Sequence, residues 1–187
     1  MGIMKVQNIL GALGLIGLAA CAPETQTSPD TVEATATTLA TATISDSAGV
    51  NVGLATILET GDSLSLKVTL SGMPPGEKAL HFHTNGACDA PDFKSAGGHL
   101  NPAKVSHGKL SETGPHLGDF PNIVIADDGL ADIALPVAGT AQDTAGHILD
   151  EDGTAIMIHA GPDDYKSDPA GAAGPRIACG VFEAAGQ

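Results

Sequence analysis

Basic side chains are scarce in this sequence. Eight Lys and Arg residues stand against 22 Asp and Glu residues, and the formal net charge is −14. Nucleic-acid binding needs clustered Lys and Arg, so this balance argues against DNA and RNA as partners. It also disfavours direct contact with an anionic membrane surface. The excess of negative charge is most simply explained by its effect on solubility.

Aromatic residues are also few. The chain has four Phe, one Tyr and no Trp. No cluster of aromatic residues marks a subunit interface, where such residues are usually enriched. The sequence therefore leaves both a monomer and a homodimer open.

Long apolar runs are missing apart from one near the amino terminus. The run from Ile9 to Ala20 follows Lys5 and has twelve residues, which is too short to span a bilayer but suits an export signal. It ends in the sequence Leu-Ala-Ala-Cys, which resembles the lipobox of bacterial lipoproteins. That resemblance implies cleavage before Cys21 and lipid on its sulfur, with residues 1–20 as the signal peptide. An ordinary signal peptide cleaved nearby is the alternative.

Residues 21–37 are rich in Thr, Pro, Ser, Ala and acidic side chains, with little apolar bulk. Such a segment cannot bury enough surface to fold, so we predict a flexible tether that carries the lipidated Cys21. The folded domain is then expected at residues 38–187. Ala22 rather than Asp follows the cysteine, which by resemblance implies sorting to the outer membrane, facing the periplasm. The membrane is expected to be contacted only through this lipid anchor.

The domain has the two-residue period of β-strands and no convincing helical period. Leu64, Leu66, Val68 and Leu70 alternate with polar residues in the clearest example. Gly- and Pro-rich turns separate eight predicted strands, at 40–45, 52–58, 64–71, 78–84, 123–126, 130–137, 154–159 and 176–183. An antiparallel sandwich or barrel follows. Residues 85–122 and 160–175 are predicted loops, and residues 138–153 have room for a short helical turn.

Histidine is concentrated in one part of the chain. Five of the seven histidines lie between His81 and Asp119, and His159 ends an apolar run further on. His81 and His83 are two residues apart on a predicted strand, so both face one side while Phe82 faces the core. Histidine is the commonest transition-metal ligand among side chains. We therefore predict a metal site organised around residues 81–119.

Two kinds of metal fit the donors in this segment. The predicted loop supplies His99, His107, His116 and Asp119, and three imidazoles with one carboxylate suit tetrahedral zinc. Sites built from nitrogen alone suit copper instead. Spacing by itself does not show that His99 serves both metals.

The domain contains the separated motifs HFH, GGHLNP, PHLGD, AIMIHAG and RIACGV. Their order and spacing resemble those of the copper/zinc superoxide dismutases, most closely the exported bacterial type. The resemblance covers residues 38–184. It implies an all-β fold, an eight-stranded antiparallel Greek-key sandwich or barrel with a long metal-binding loop and a second active-site loop. It also implies dismutation of superoxide to oxygen and hydrogen peroxide, as antioxidant defence in the bacterial envelope.

The resemblance assigns roles residue by residue. Its copper ligands match His81, His83, His99 and His159. Its zinc ligands match His99, His107, His116 and Asp119, with His99 as a bridge that also takes up a proton during catalysis.

Further residues match the surroundings of the metals. Asp163 matches the carboxylate that links a copper-ligand histidine to a zinc-ligand histidine, and Arg176 matches the arginine that attracts superoxide. Cys88 and Cys179 match the family disulfide, and they are also the pair that remains if Cys21 is lipidated. The alternative is a non-catalytic exported module that binds copper and zinc. Such a module is expected to lack a copper ligand or Arg176, and both are present.

Overall fold

The computed structural model describes residues 35–186. The predicted signal peptide, Cys21 and most of the predicted tether lie outside the described residues. Ten strands and one α-helix occur within the described range. The strands are Thr37–Asp46 (β1), Asn51–Thr60 (β2), Ser63–Leu70 (β3), Gly76–Lys78 (β4), Leu80–His83 (β5), Ile123–Ile125 (β6), Ala131–Val137 (β7), Ala155–His159 (β8), Arg176–Val181 (β9) and Glu183–Ala184 (β10). The helix is Ala141–Ile148 (α1).

Most strands belong to one curled antiparallel sheet. Its order is β5-β8-β9-β1-β2-β3-β7, with β10 also beside β1, while β4 and β6 form a separate pair. β3 lies next to β7 and β1 next to β9, so the chain crosses over between strands that are distant in sequence, as in a Greek key. The predicted all-β antiparallel class is confirmed.

The alternation of the sequence places the core on one face of each strand. In β3, Leu64, Leu66, Val68 and Leu70 are buried, and the residues between them are partly or fully exposed. On β5, Phe82 packs edge-to-face on Phe120 and Phe182, with ring centroids 4.6 and 5.2 Å away. Burying one such ring contributes about 2 kcal/mol. Because Phe82 is fixed in this core, its two histidine neighbours must face the other side of the strand.

Two of the predicted strands are each divided in the structure. The first division is at Ala79. β4, which ends before this residue, pairs with β6, whereas β5, which begins after it, pairs with β8. There the main-chain N–H of Ala79 donates to the Gly161 carbonyl, and the Ala79 carbonyl accepts from the His159 N–H. The last predicted strand divides in the same way at Phe182, whose N–H donates to the Thr154 carbonyl. Each division is set by hydrogen bonds to residues that are distant in the sequence. The two-residue alternation of a single strand does not encode such bonds.

The segment 138–153 forms a regular helix rather than a single turn. Thr140 caps α1, since its side-chain oxygen accepts from the Asp143 N–H at 3.3 Å. Ala141, Thr144 and Ile148 form its buried side. These three residues have helical spacing, but two of them are small, so the apolar signal in the sequence is weak. No helix within residues 35–186 is long and apolar enough to cross a membrane.

The long loop 85–122 is folded back on β5. Phe82 donates its N–H to the Gly118 carbonyl, and its own carbonyl accepts from the Leu100 N–H. The predicted disulfide between Cys88 and Cys179 is present, with the two Cα atoms 5.7 Å apart, and it joins the start of this loop to β9. A disulfide across a separation of 91 residues stabilises a fold by about 2–5 kcal/mol. The loop is therefore held in place although its own regular secondary structure is limited to a short 3₁₀ helix at Lys94–Ala96.

Candidate metal centre

Strands β5 and β8 bring the first set of histidines together. His81 and His83 lie on one face of β5, and His159 ends the neighbouring β8, with its ring centroid 5.0 Å from that of His81. His99, from the loop, pairs with His83 through an isolated antiparallel β-bridge of the main chain. The four ring-nitrogen donors lie within 4.8 Å of one another. We call His81, His83, His99 and His159 the first group.

Each histidine of the first group has one buried ring nitrogen without a hydrogen-bond partner. These atoms are His81 Nδ1, His83 Nε2, His99 Nε2 and His159 Nε2. A buried polar atom without a partner costs about 1–3 kcal/mol, so four of them in one place are the arrangement expected of a ligand-binding site. Four imidazole nitrogens suit copper. The residues of the first group thus fit a copper ion.

The other ring nitrogen of three of these histidines is held by hydrogen bonds. His83 Nδ1 donates to the Gly97 carbonyl and His159 Nδ1 to the Gly174 carbonyl, both at 3.0 Å. His81 Nε2 donates to Asp163 Oδ2 at 2.8 Å. Such bonds fix the tautomer and turn the free nitrogen towards the centre of the group.

The second group consists of His99, His107, His116 and Asp119, whose donor atoms also lie within 4.8 Å of one another. Asp119 Oδ1 is 2.8 Å from His99 Nδ1, 3.1 Å from His107 Nδ1 and 3.2 Å from His116 Nδ1. Its other oxygen accepts from the main-chain N–H groups of Gly108 and His116. Three nitrogens and one carboxylate oxygen converging in this way fit a tetrahedral zinc ion.

Two residues join the groups. His99 belongs to both, because its Nδ1 contacts Asp119 in the second group and its unpartnered Nε2 is a donor of the first. Asp163 joins them from behind, since Oδ2 accepts from His81 Nε2 at 2.8 Å and Oδ1 accepts from His107 Nε2 at 2.9 Å. His81, His107 and Asp163 also form a compact cluster. Their mutual hydrogen bonds already occupy the donor atoms, so this cluster acts as a link between the groups.

Burial keeps the imidazoles of His81, His83 and His159 neutral. Loss of hydration lowers the pKa of His83 to about 2 and that of His81 and His159 to about 4. Burial alone would raise the pKa of Asp119, but hydrogen bonds from His99, Gly108 and His116 outweigh it and lower this pKa to about 2. Neutral imidazole and ionised carboxylate are the forms that bind metal. Near neutral pH His81, His83, His159 and Asp119 are therefore in their metal-binding forms.

Arg176 lies beside the first group. It opens β9 directly opposite His159, and its Nη2 donates to the Gly97 carbonyl that also accepts from His83 Nδ1. Its Nη1 donates to the Phe93 carbonyl. The side chain is half-buried, and these two bonds hold the guanidinium in place while part of it faces solvent. The structure thus places a fixed cation next to the four nitrogens.

Several residues around the groups were not identified from the sequence. Asp168 Oδ1 accepts from the His107 N–H at 2.7 Å, and the Tyr165 N–H donates to Asp163 Oδ1 at 2.6 Å. Asn101 and Asn122 bond the main chain behind the ligands. All four lie in loops, where neither period nor residue type signals such a role. His147 is exposed on α1 and belongs to neither group.

Comparisons with known proteins agree with this geometry. Residues 51–182 match the family model described as copper/zinc superoxide dismutase (SODC). The chain is 47% identical over 138 residues to superoxide dismutase [Cu-Zn] 1 of Aquifex aeolicus, covering 72% of this chain and 82% of that protein. It is 42% identical over 148 residues to the superoxide dismutase [Cu-Zn] of Caulobacter vibrioides, covering 77% and 85%.

Solved structures show the same likeness. A double mutant of a SOD-like protein from Bacillus subtilis matches with a TM-score of 0.71 and 37% identity, covering 75% of this chain and 95% of that one. The Cu/Zn superoxide dismutase from Brucella abortus matches with a TM-score of 0.62 and 28% identity, covering 80% and 100%. The chain belongs to the copper/zinc superoxide dismutase family, and it is an oxidoreductase with superoxide as its substrate and copper and zinc as its cofactors.

Proposed function

We propose that the first group holds the copper, that the second group holds the zinc, and that His99 bridges the two. The observation that carries this assignment is the arrangement of His99. Its two ring nitrogens face different groups, and Nε2 is buried with no hydrogen-bond partner. Each group also has the donor set that its metal prefers, four nitrogens for copper and three nitrogens with one carboxylate for zinc.

The reaction consumes two superoxide ions and two protons and yields oxygen and hydrogen peroxide. Bound copper would supply one-electron oxidation and reduction in turn, whereas zinc has no redox chemistry and would supply only charge and geometry. The chain supplies a place for a proton. His99 faces the second group through Nδ1, so its Nε2 can take up a proton when it is not bound to a metal and donate that proton to the peroxide product.

Arg176 is the residue proposed to attract and position superoxide. The chain as a whole has a net charge of −14, which repels an anion. A fixed guanidinium next to the first group creates a local positive potential where the anion must arrive. Such local fields raise association rates when the surrounding walls focus them. Arg176 therefore counters the repulsion at the point of reaction.

Replacing Arg176 with Gln should lower kcat/KM by about tenfold or more and weaken its dependence on ionic strength. Copper should remain bound, because Arg176 donates no ligand atom to the first group. Pulse radiolysis at several salt concentrations measures the rate, and electron paramagnetic resonance (EPR) shows the copper. Lys67→Gln on β3 is the matched control, since it removes the same charge from a strand in the other half of the sheet. An unchanged rate in the Arg176 variant would remove its role in attraction.

The assignment is tested by loading metal-stripped protein with Cu²⁺ and Zn²⁺, recording the EPR spectrum and assaying superoxide removal. We expect one copper signal from nitrogen ligands and dismutase activity. A non-catalytic metal-binding module would give the signal without activity. His159→Ala should lose copper and retain zinc, whereas His116→Ala should weaken zinc binding and retain copper. The opposite pattern would reverse the assignment of the two groups.

For the location of the protein, we propose the periplasm, with lipid at Cys21 anchoring it to the outer membrane. The support is the apolar run before the Leu-Ala-Ala-Cys sequence and the Ala that follows it. Several acyl chains on one residue give stable anchoring where a single chain does not. In a bacterial host, globomycin should therefore cause the unprocessed precursor to accumulate. Normal processing in its presence would contradict the lipid anchor.

A further inference from the structure

Two asparagines behind the metal groups make the same pair of hydrogen bonds. Asn101 Nδ2 donates to the Val105 carbonyl at 2.8 Å, and Asn101 Oδ1 accepts from the Val105 N–H at 3.1 Å. Asn122 Nδ2 donates to the Asp163 carbonyl at 2.9 Å, and Asn122 Oδ1 accepts from the Asp163 N–H at 2.8 Å. In each case one amide side chain bonds both main-chain polar groups of a single residue.

The residues that are held in this way each orient metal-binding histidines. The Val105 carbonyl accepts a second hydrogen bond, from His116 Nε2 at 3.1 Å. The Asp163 carboxylate accepts from His81 Nε2 and from His107 Nε2. The bonds of Asn101 to Val105 therefore affect a histidine of the second group alone. The bonds of Asn122 to Asp163 affect one histidine of each group.

Both held residues lie in loops, where no strand partner fixes the main chain. An asparagine that bonds both the N–H and the carbonyl replaces the two bonds that a neighbouring strand would provide. At Asp163 the hold is reinforced, because Tyr165 donates its N–H to Asp163 Oδ1 and its hydroxyl accepts from the Asn122 N–H at 2.8 Å. The peptide and the carboxylate of Asp163 are thus both fixed.

We propose that Asn101 and Asn122 are positioning residues with different reach. Asn101 orients His116 through Val105 and acts on the second group alone. Asn122 orients Asp163 and so couples the geometry of the two groups. This proposal rests on the metal assignment given above, and it adds two residues that donate no ligand atom to either group.

Asn101→Ala and Asn122→Ala serve as controls for each other, because each removes the same atoms and the same pair of bonds. Metal-stripped protein is titrated with Co²⁺, whose visible absorption reports a tetrahedral site, and then with Cu²⁺. Both variants should bind Co²⁺ about tenfold more weakly, within the usual range for loss of such outer contacts. Only Asn122→Ala should change the EPR spectrum of the bound Cu²⁺. A wild-type spectrum in Asn122→Ala, or a changed one in Asn101→Ala, would overturn the proposed difference in reach.

Nuclear magnetic resonance of the metal-free protein separates this proposal from the metal assignment. The ring N–H signal of His116 Nε2 should exchange faster in Asn101→Ala alone. Those of His81 Nε2 and His107 Nε2 should exchange faster in Asn122→Ala alone. This result is expected even if the wild-type protein takes up only one metal, whereas equal exchange in both variants would refute the positioning roles.

Should an alanine variant fail to fold, the aspartate variants Asn101→Asp and Asn122→Asp take its place. Aspartate still accepts from the main-chain N–H but no longer donates to the carbonyl. The same differences in metal binding and in exchange of the ring N–H signals are expected between the two aspartate variants, with smaller changes than between the alanine variants. Identical Co²⁺ and Cu²⁺ behaviour of the two aspartate variants would count against the proposal in the same way.

Discussion

Replacing Gly171 with alanine should lower the affinity for metal at both groups by about 100-fold and reduce dismutase activity with it. Gly171 has φ +65°, and a Cβ atom there would overlap Asp163 Oδ1 and lie 2.7 Å from His107 Nε2. The Asp163 carboxylate would have to move, and it holds one histidine of each group. A single methyl group in a loop is thus expected to disturb both sites.

Gly61→Ala separates this overlap from backbone strain. Gly61 has φ +60° in the turn between β2 and β3, and a Cβ atom there would meet nothing within 4 Å. Both variants carry the cost of a left-handed backbone at a residue with Cβ, about 1 kcal/mol. Only Gly171→Ala should weaken Co²⁺ and Cu²⁺ binding, measured by titration of metal-stripped protein. Equal binding in both variants would show that the Gly171 loop can yield without moving Asp163.

The metal-free protein should lose stability as the pH falls below about 6.5, the ordinary value for histidine. His81 and His159 have a pKa of about 4 in the folded chain, so below 6.5 the unfolded chain binds protons that the folded chain does not. The free energy of unfolding therefore falls through this window, by roughly 2 kcal/mol for each of the two histidines near pH 5. Above 6.5 these residues contribute no pH dependence.

The acidic residues extend the loss to lower pH. The pKa of Asp119 falls to about 2 in the folded chain, and that of Asp163 is also lowered by its bonds to His81 and His107, although burial opposes this. Their stabilisation is present above the ordinary carboxylate pKa and disappears as the pH falls towards the folded value. Both kinds of residue thus make the metal-free protein less stable in acid.

Urea unfolding of metal-stripped, disulfide-bonded protein across this pH range measures the effect. His159→Gln should flatten the pH dependence between the ordinary and the folded pKa of histidine, because it removes one of the buried rings. His147→Gln is the control, since this histidine is exposed on α1. A wild-type slope that is no steeper than that of His159→Gln would contradict the expected contribution of burial.

Local patterns predicted much of the fold. The alternation in β3 was enough to place Leu66 and Val68 in the core. It did not predict the change of partner at Ala79, because that change depends on Gly161 and His159, some eighty residues away in the chain. Periodicity encodes which face of a strand is buried, but the identity of its neighbours is set by contacts between distant segments.

The residues of the candidate site also fall into those that the sequence predicted and those that it did not. The density of histidine between His81 and Asp119 predicted the candidate donors, and the spacing of His81 and His83 placed these two on one face. Asn122 and Tyr165 carried no signal, because their role lies in hydrogen bonds between loops. Asn101 lies within the GGHLNP motif, but the motif does not show what its side chain binds. The bond from Asn122 to Asp163 spans 41 residues, and only the folded chain brings the two together.

The sequence by itself determined most of the strands, the candidate donors and, through its motifs, the family. The tertiary structure decided which nitrogen of each imidazole is free. The free nitrogen is Nδ1 in His81 and Nε2 in His83 and His159. Asp163 accepts a hydrogen bond from the other nitrogen of His81, and main-chain carbonyls accept from those of His83 and His159. The amino-acid sequence is the same for either orientation of an imidazole ring. The orientation is therefore set by the acceptor that the fold places behind the ring. In this protein the acceptors behind His81, His83 and His159 leave their free nitrogens within 4.8 Å of one another.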